Sequence, residues 1–176
     1  QDLHFYHFGV REYAAGTEVV SFAPGDLASY ENEIRAAQEA LQYPDAWRAA
    51  RPVGEKTHVE LSLEPGATAV LAELDGAGAI EELALQLDAD DPWRAPRQVL
   101  LTARFDGATN PQVEVPVGDF HGSVPGIAPY DSLPVTVRPD GTMTCRFVMP
   151  FKEKAVLHLR NTSDASVTLR GWYVAT

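Results

Sequence analysis

The chain has one cysteine, Cys145, so no internal disulfide can form and cysteine pairing gives no evidence for or against secretion. Cys145 lies in TMTCRFVM, in phase with Met143, Phe147 and Met149, and reads as a buried, inert thiol. Long apolar runs are also missing: none approaches the roughly 18 residues that a membrane-spanning helix needs. Basic residues are scarce, 14 against 25 acidic ones, for a formal net charge of -11. That balance excludes nucleic acid and anionic membrane as expected partners. It keeps the protein soluble and suits a neutral ligand such as sugar. No Ser/His/Asp elbow and no phosphate-binding glycine loop is present. Asp88, Asp90 and Asp91 in LDADDPW superficially suggest calcium, but the glycine and distal glutamate of an EF-hand loop are missing, and a solvated loop is expected. His4 and His7 are three apart, which on a strand puts them on opposite faces, a poor chelate. No metal and no cofactor is expected.

What is present is a folded domain of ordinary composition, 45% hydrophobic and 22% charged over 176 residues, enough for one domain or one with a helical appendage. Leu3–Val10 reads as a strand, followed by a turn at Ala14–Gly16 and a short strand Thr17–Phe22. Leu27, Tyr30, Ile34, Ala37 and Leu41 recur at helical steps, so Leu27–Gln42 is predicted as a helix with Asp26 as N-cap and Pro44 as its stop. A loop is expected over Pro44–Glu55. From Lys56 the period drops to two. Eight or nine strands follow, starting near Thr57, Thr68, Ile80, Arg97, Gln112, Leu133, Thr142, Lys154 and Ser166 and broken by turn residues such as Asp75-Gly76 and Asp106-Gly107. In the third, Ile80 has the opposite parity to Leu83, Leu85 and Leu87, which predicts a bulge or a buried edge after Gly78. The expected fold is all-β: an antiparallel jelly-roll sandwich over 56–176, preceded by a strand, helix and linker segment over 1–55.

The segment VEVPVGDFHG, Val113–Gly122, carries the most chemistry. It begins as an alternating strand, breaks at Gly118, and presents Asp119, Phe120 and His121 before Gly122. A carboxylate for hydroxyl groups beside a flat aromatic face is what a sugar site wants, with Asp119 and His121 expected to face a groove at the sheet rim. Trp93, in the loop DDPWRAP, is the better exposed sugar platform; Trp172 alternates with Val174 and is expected in the core, and Trp47 lies in the linker. Glu73, Asp75 and Asp131 read as turn or rim acids. Asn161-Thr162-Ser163 fits the glycosylation acceptor pattern only trivially.

The ordered motifs GAGAI (76–80), FDG (105–107), VPVGDFHG (115–122), SLP (132–134), DGT (140–142) and CRFVMPF (145–151) resemble the jelly-roll proteins of domain of unknown function family 2961, placed in glycoside hydrolase family 172. The resemblance covers about 65–173. It implies action on furanosides of fructose or D-arabinose, at least two jelly rolls per chain, and association into trimers or larger assemblies with sites between protomers. This chain has room for one jelly roll and lacks a segment like Gly-Thr-Gly-Thr-Glu-Asp-Tyr, which supplies an acidic catalytic residue in the family. The opening HFYHFGVREYAAGTEV resembles the closing strand of a preceding family domain, and with the missing initiator Met it suggests a processed chain or a piece of a longer one.

Glycoside hydrolysis needs two carboxyl groups flanking the bond. With none paired to Asp119 in the sequence, the segment is expected to be non-catalytic alone and a glycoside hydrolase only if another domain or subunit completes it. Asp119, Phe120, His121 and Trp93 are the candidate ligand-binding residues, and a homo-oligomer or a sister domain is the expected partner. The alternative is a non-catalytic carbohydrate-binding or structural assembly module. A soluble chain is expected, in the bacterial cytoplasm or exported.

Overall fold

The architecture comes from a computed structural model that describes residues 12–50 and 54–176, so the expected strand Leu3–Val10 and the pair His4 and His7 lie outside the described residues. The chain divides into two compact units, Gln1–Ala37 and Gln38–Thr176.

In the first unit the expected turn forms. Gly16 takes φ +85°, and the Thr17 amide and hydroxyl both donate to the Ala14 carbonyl. The strand expected over Thr17–Phe22 does not form; those residues are exposed, irregular chain. Among the described residues no strand lies beside them, and a β-rich composition needs a ladder to join. A 3-10 turn, Pro24–Tyr30, leads into α1, Glu31–Gln42. Asp26 is not the N-cap. It sits third in the turn, where its carboxylate accepts from the Ala23 amide at 2.8 Å, the reciprocal half of a capping box. Leu27, Tyr30 and Leu41 of the apolar stripe are exposed.

Pro44 opens a second helix rather than a loop, α2, Pro44–Ala50. At a first helical position its missing amide hydrogen costs nothing and its fixed φ is already helical.

The strands follow in chain order: β1 Lys56–Leu63, β2 Thr68–Asp75 and β3 Gly78–Asp88; then the single-turn α3, Ala95–Gln98, and β4 Val99–Phe105. Next come β5 Val113–Pro116, the single-turn α4, Val117–Phe120, and the short strands β6 Tyr130–Asp131, β7 Val135–Val137, β8 Met143–Cys145 and β9 Met149–Phe151. β10 Lys154–Asn161 and β11 Val167–Ala175 close the domain. The larger sheet runs β1-β11-β3-β8-β7-β6 with β9 also on β3, and the smaller runs β2-β10-β4-β5. The protein is an all-β antiparallel sandwich with an N-terminal helix.

Period-two alternation builds the core. Leu83 and Leu85 of β3, Leu101 of β4, Leu157 and Leu159 of β10 and Leu169 of β11 are buried in one cluster drawn from both sheets. Each such leucine contributes about 1.5–3 kcal/mol by leaving water. The expected bulge is there: Glu82 pairs with Val174 but Ile80 pairs with Ala175, so Glu81 is the extra residue and Ile80 returns to the core side, fully buried. TMTCRFVM is not one strand. It breaks after Cys145 into β8 and β9, while the side chain of Arg146 keeps the outward parity of Thr144 and reaches Glu82 and Thr136. Phe147 and Val148 are consequently exposed, while Cys145 is buried as expected. Among the described residues no helix is long and apolar enough to cross a membrane.

Candidate functional site

β5 ends at Pro116, two residues before the expected break at Gly118, and the chain turns at once into α4. A helical turn rotates successive side chains by roughly 100°, so neighbours that a strand would alternate instead diverge. Asp119 is partly buried, with its Oδ2 shielded from solvent 3.3 Å from the Arg97 Nε. His121 does not face a groove, as expected from the sequence; it is fully buried. Its Nδ1 lies 2.9 Å from the Val117 carbonyl, which assigns the proton to that nitrogen. Burial pushes the imidazole pKa down, against the pull of the Val117 and Leu83 carbonyls. Phe120 is half-buried against the core, its ring edge-on to His121 at 5.0 Å.

Two close approaches bind this turn to the segment before β4. Gly118 faces Pro96 so tightly that a Cβ there would lie 2.7 Å from the proline Cβ. Gly126, at φ +66°, sits under the indole of Trp93, 2.6 Å from Cε3 at the point a Cβ would occupy. Trp93 is nevertheless 61% exposed. The Asp91 carboxylate accepts from the Trp93 and Arg94 amides at 3.1 and 3.0 Å, so this acid orders the loop. Ser123 orders the facing one: its hydroxyl donates to the Gly126 carbonyl and accepts from the Ala128 amide. Trp93 and Asp119 therefore stand on two segments that pack together, with Phe120 and His121 behind them.

The other acids do not gather here. Glu73 and Asp75 are on β2, at the far edge of the smaller sheet from β5, and both pair with Lys154. Asp131 on β6 is held by Arg48 of α2 through two bonds of 3.0 Å. That guanidinium is the main reason its carboxyl titrates below the usual range. Asn161 is buried, donating to the Leu63 and Ala165 carbonyls and accepting from Ser163. Among the described residues no three of His, Cys, Asp and Glu gather as a metal site.

A concavity of about 380 Å³ lies on the larger sheet and is lined by His58, Glu60, Gln86, Thr142, Arg170 and Trp172 among others. Trp172 is not in the core. It shares a face with Val174, but that face is the outer one, because Leu169 and Val167 hold the inward parity of β11. Val174 is covered by the chain at Gly54, where a Cβ would meet its side chain at 2.8 Å, and Trp172 is left half-buried. The Trp172 indole donates to Glu82 at 2.6 Å, and Glu82 pairs with Arg146 at 3.2 Å. Arg146 in turn reaches Thr136, and the Thr136 hydroxyl reaches Asp131, so polar contacts run unbroken from α2 to the indole. The sequence hides this groove because its residues come from separate strands. Only the register, with Trp172 opposite His58 and Ala84, and Arg170 opposite Glu60 and Gln86, brings them together.

The family model described as GH172 domain-like matches residues 54–174, which takes in both the rim and the groove. The chain belongs to the GH172 domain-like family. This ties the GH172 domain-like fold described above to carbohydrate-active proteins. No curated protein matches the chain. Among solved structures, it is similar to the acidic stable capsid structure of Helicobacter pylori bacteriophage KHP30. That match has 11% identity and a TM-score of 0.36, covering 70% of this chain and 90% of that one.

Proposed function

We propose that residues 56–176 are a jelly-roll domain of a family 172-type glycoside hydrolase that binds a furanoside at the Trp93–Asp119 rim and does not hydrolyse it alone. The observation that carries this is the seating of Trp93: one face of the indole rests on Gly126, leaving most of the side chain in solvent. An aromatic plane backed by glycine offers a sugar ring a rigid apolar face, and a nearby carboxylate gives its hydroxyls an acceptor. Hydrolysis needs a second carboxyl about 5 Å away for retention, or roughly 6.5–9.5 Å for inversion. Glu73 and Asp75 share Lys154, and Asp131 is held by Arg48, all on other elements, which favours a binding role here.

A sister domain or further copies of the chain would complete the acid pair. The exposed side chains of Leu27, Tyr30 and Leu41 favour such association. Titration calorimetry with an arabino- or fructofuranoside oligosaccharide tests the proposal, together with turnover of an aryl furanoside. Binding that is lost in Trp93→Ala, with turnover at background, is the expected result. Turnover abolished by Asp119→Asn would instead restore a complete active site to this chain.

A further inference from the structure

We infer that the groove beside Trp172 is a second carbohydrate site, one that takes an uncharged sugar residue against the indole. That the ligand is a sugar rests on the reading above; where it sits rests on the groove. The volume of about 380 Å³ falls within the range of small-molecule sites. Its aromatic wall is set by register. Trp172 pairs with His58, and Val174 and Arg170 stand on either side of it along the same face of β11. Glu82, paired with Val174, accepts from the indole at 2.6 Å and draws the ring to that side. Lys56, also paired with Val174, places its ammonium 4.2 Å from the ring centre. The groove opens on the other side, where Glu60, Arg170 and Gln86 form one cross-strand row.

Two further features suit this occupant. The indole is held rigidly. Glu82 pairs with Arg146 at 3.2 Å, and both side chains are largely buried, 14% and 17% exposed. Such an anchor fixes a half-buried tryptophan in one orientation, so little ordering is left to do when a flat ligand face meets it. The lining is also neutral. The carboxylate and guanidinium that line it, Glu60 and Arg170, are 3.0 Å apart and answer each other. A charged ligand would shed water there without gaining an unspent partner, whereas hydroxyl groups can use what remains. The Gln86 nitrogen is committed to the Asp140 carbonyl at 2.7 Å, which leaves the amide oxygen as an acceptor. His58 and Thr142 lie along the same wall.

The experiment is a heteronuclear NMR titration of the isotope-labelled full chain with an uncharged arabinofuranose oligosaccharide, following the indole N–H signals. Each tryptophan gives its own signal, so Trp93 reports the rim and Trp172 the groove. The Trp172 signal should move and saturate with a dissociation constant of roughly 1 mM, the scale of a shallow site with one aromatic wall. Gln86→Met should weaken that titration about threefold to tenfold, the loss of one hydrogen bond. A Trp172 signal that stays still while Trp93 titrates overturns the inference and leaves the rim proposal standing. A Trp172 midpoint unchanged in Gln86→Met also overturns it, because the sugar would then lie outside the groove. Silence of both signals overturns both readings. Conversely, a Trp172 signal that titrates beside a silent Trp93 sinks only the rim.

Discussion

Arg48 and Asp131, 83 residues apart, meet in a two-pronged pair with both bonds at 3.0 Å, which ties α2 to a two-residue edge strand of the larger sheet. Such a fork fixes geometry as well as charge. Because Asp131 is 44% exposed at its side chain, water screens much of the attraction. Arg48→Met should therefore cost about 1 kcal/mol in urea unfolding. The sign with pH follows from the depressed Asp131 pKa. Its contribution is fully present above the ordinary carboxyl value of 3.8 and is lost as pH falls through the lower folded value. Acid unfolding curves of wild type and Arg48→Met should thus converge below that value.

His121 acts with the same sign in a higher pH window. Its folded pKa is lowered by burial from the ordinary 6.5, so between the two values the unfolded chain takes up a proton that the folded chain refuses. Stability should be full above about 6.5 and should fall as pH drops below it. Urea midpoints at pH 7.5 and pH 5 measure this, and His121→Gln should flatten the difference even if it lowers both values.

Gly126→Ala should dislodge the rim tryptophan. The added methyl would overlap Cε3 of Trp93, and a residue with a Cβ is strained at φ +66°. A change in tryptophan fluorescence and a tenfold or greater loss of furanoside affinity are expected, with a melting temperature only a few degrees lower. Unchanged affinity would mean that the orientation of Trp93 is irrelevant to binding.

Gly171→Ala should be far more damaging. β11 lies between β1 and β3, and a Cβ at Gly171 would come within 2.0 Å of the Ala84 carbonyl oxygen, a backbone atom that cannot step aside. More than about 3 kcal/mol of destabilisation is expected, above the usual cost of overpacking. Circular dichroism and soluble yield report it, with Gly25→Ala as the control, since nothing lies within 4 Å of a Cβ there.

The long strands were legible in the sequence because a single period governs each of them. The bulge at Glu81 could be read from one parity conflict, Ile80 against Leu83. What escaped was decided by partners distant in the chain. Thr17–Phe22 alternates like a strand but pairs with no strand among the described residues. Trp172 and Val174 alternate like core residues, yet they lie on the outer face, where Gly54 covers only one of them. At the rim, Trp93 and Asp119 were legible as types, an exposed aromatic and a carboxylate between glycines. The burial of His121 was not, because it follows from α4 replacing the end of a strand. The outer groove had no linear signal at all.

Lys56 and Val174 are paired neighbours at the edge of the larger sheet, so the chain comes into the sandwich and leaves it on adjacent strands running in opposite directions. The start and finish of the sandwich therefore lie side by side, the geometry that insertion into a host loop or circular permutation with a short linker requires.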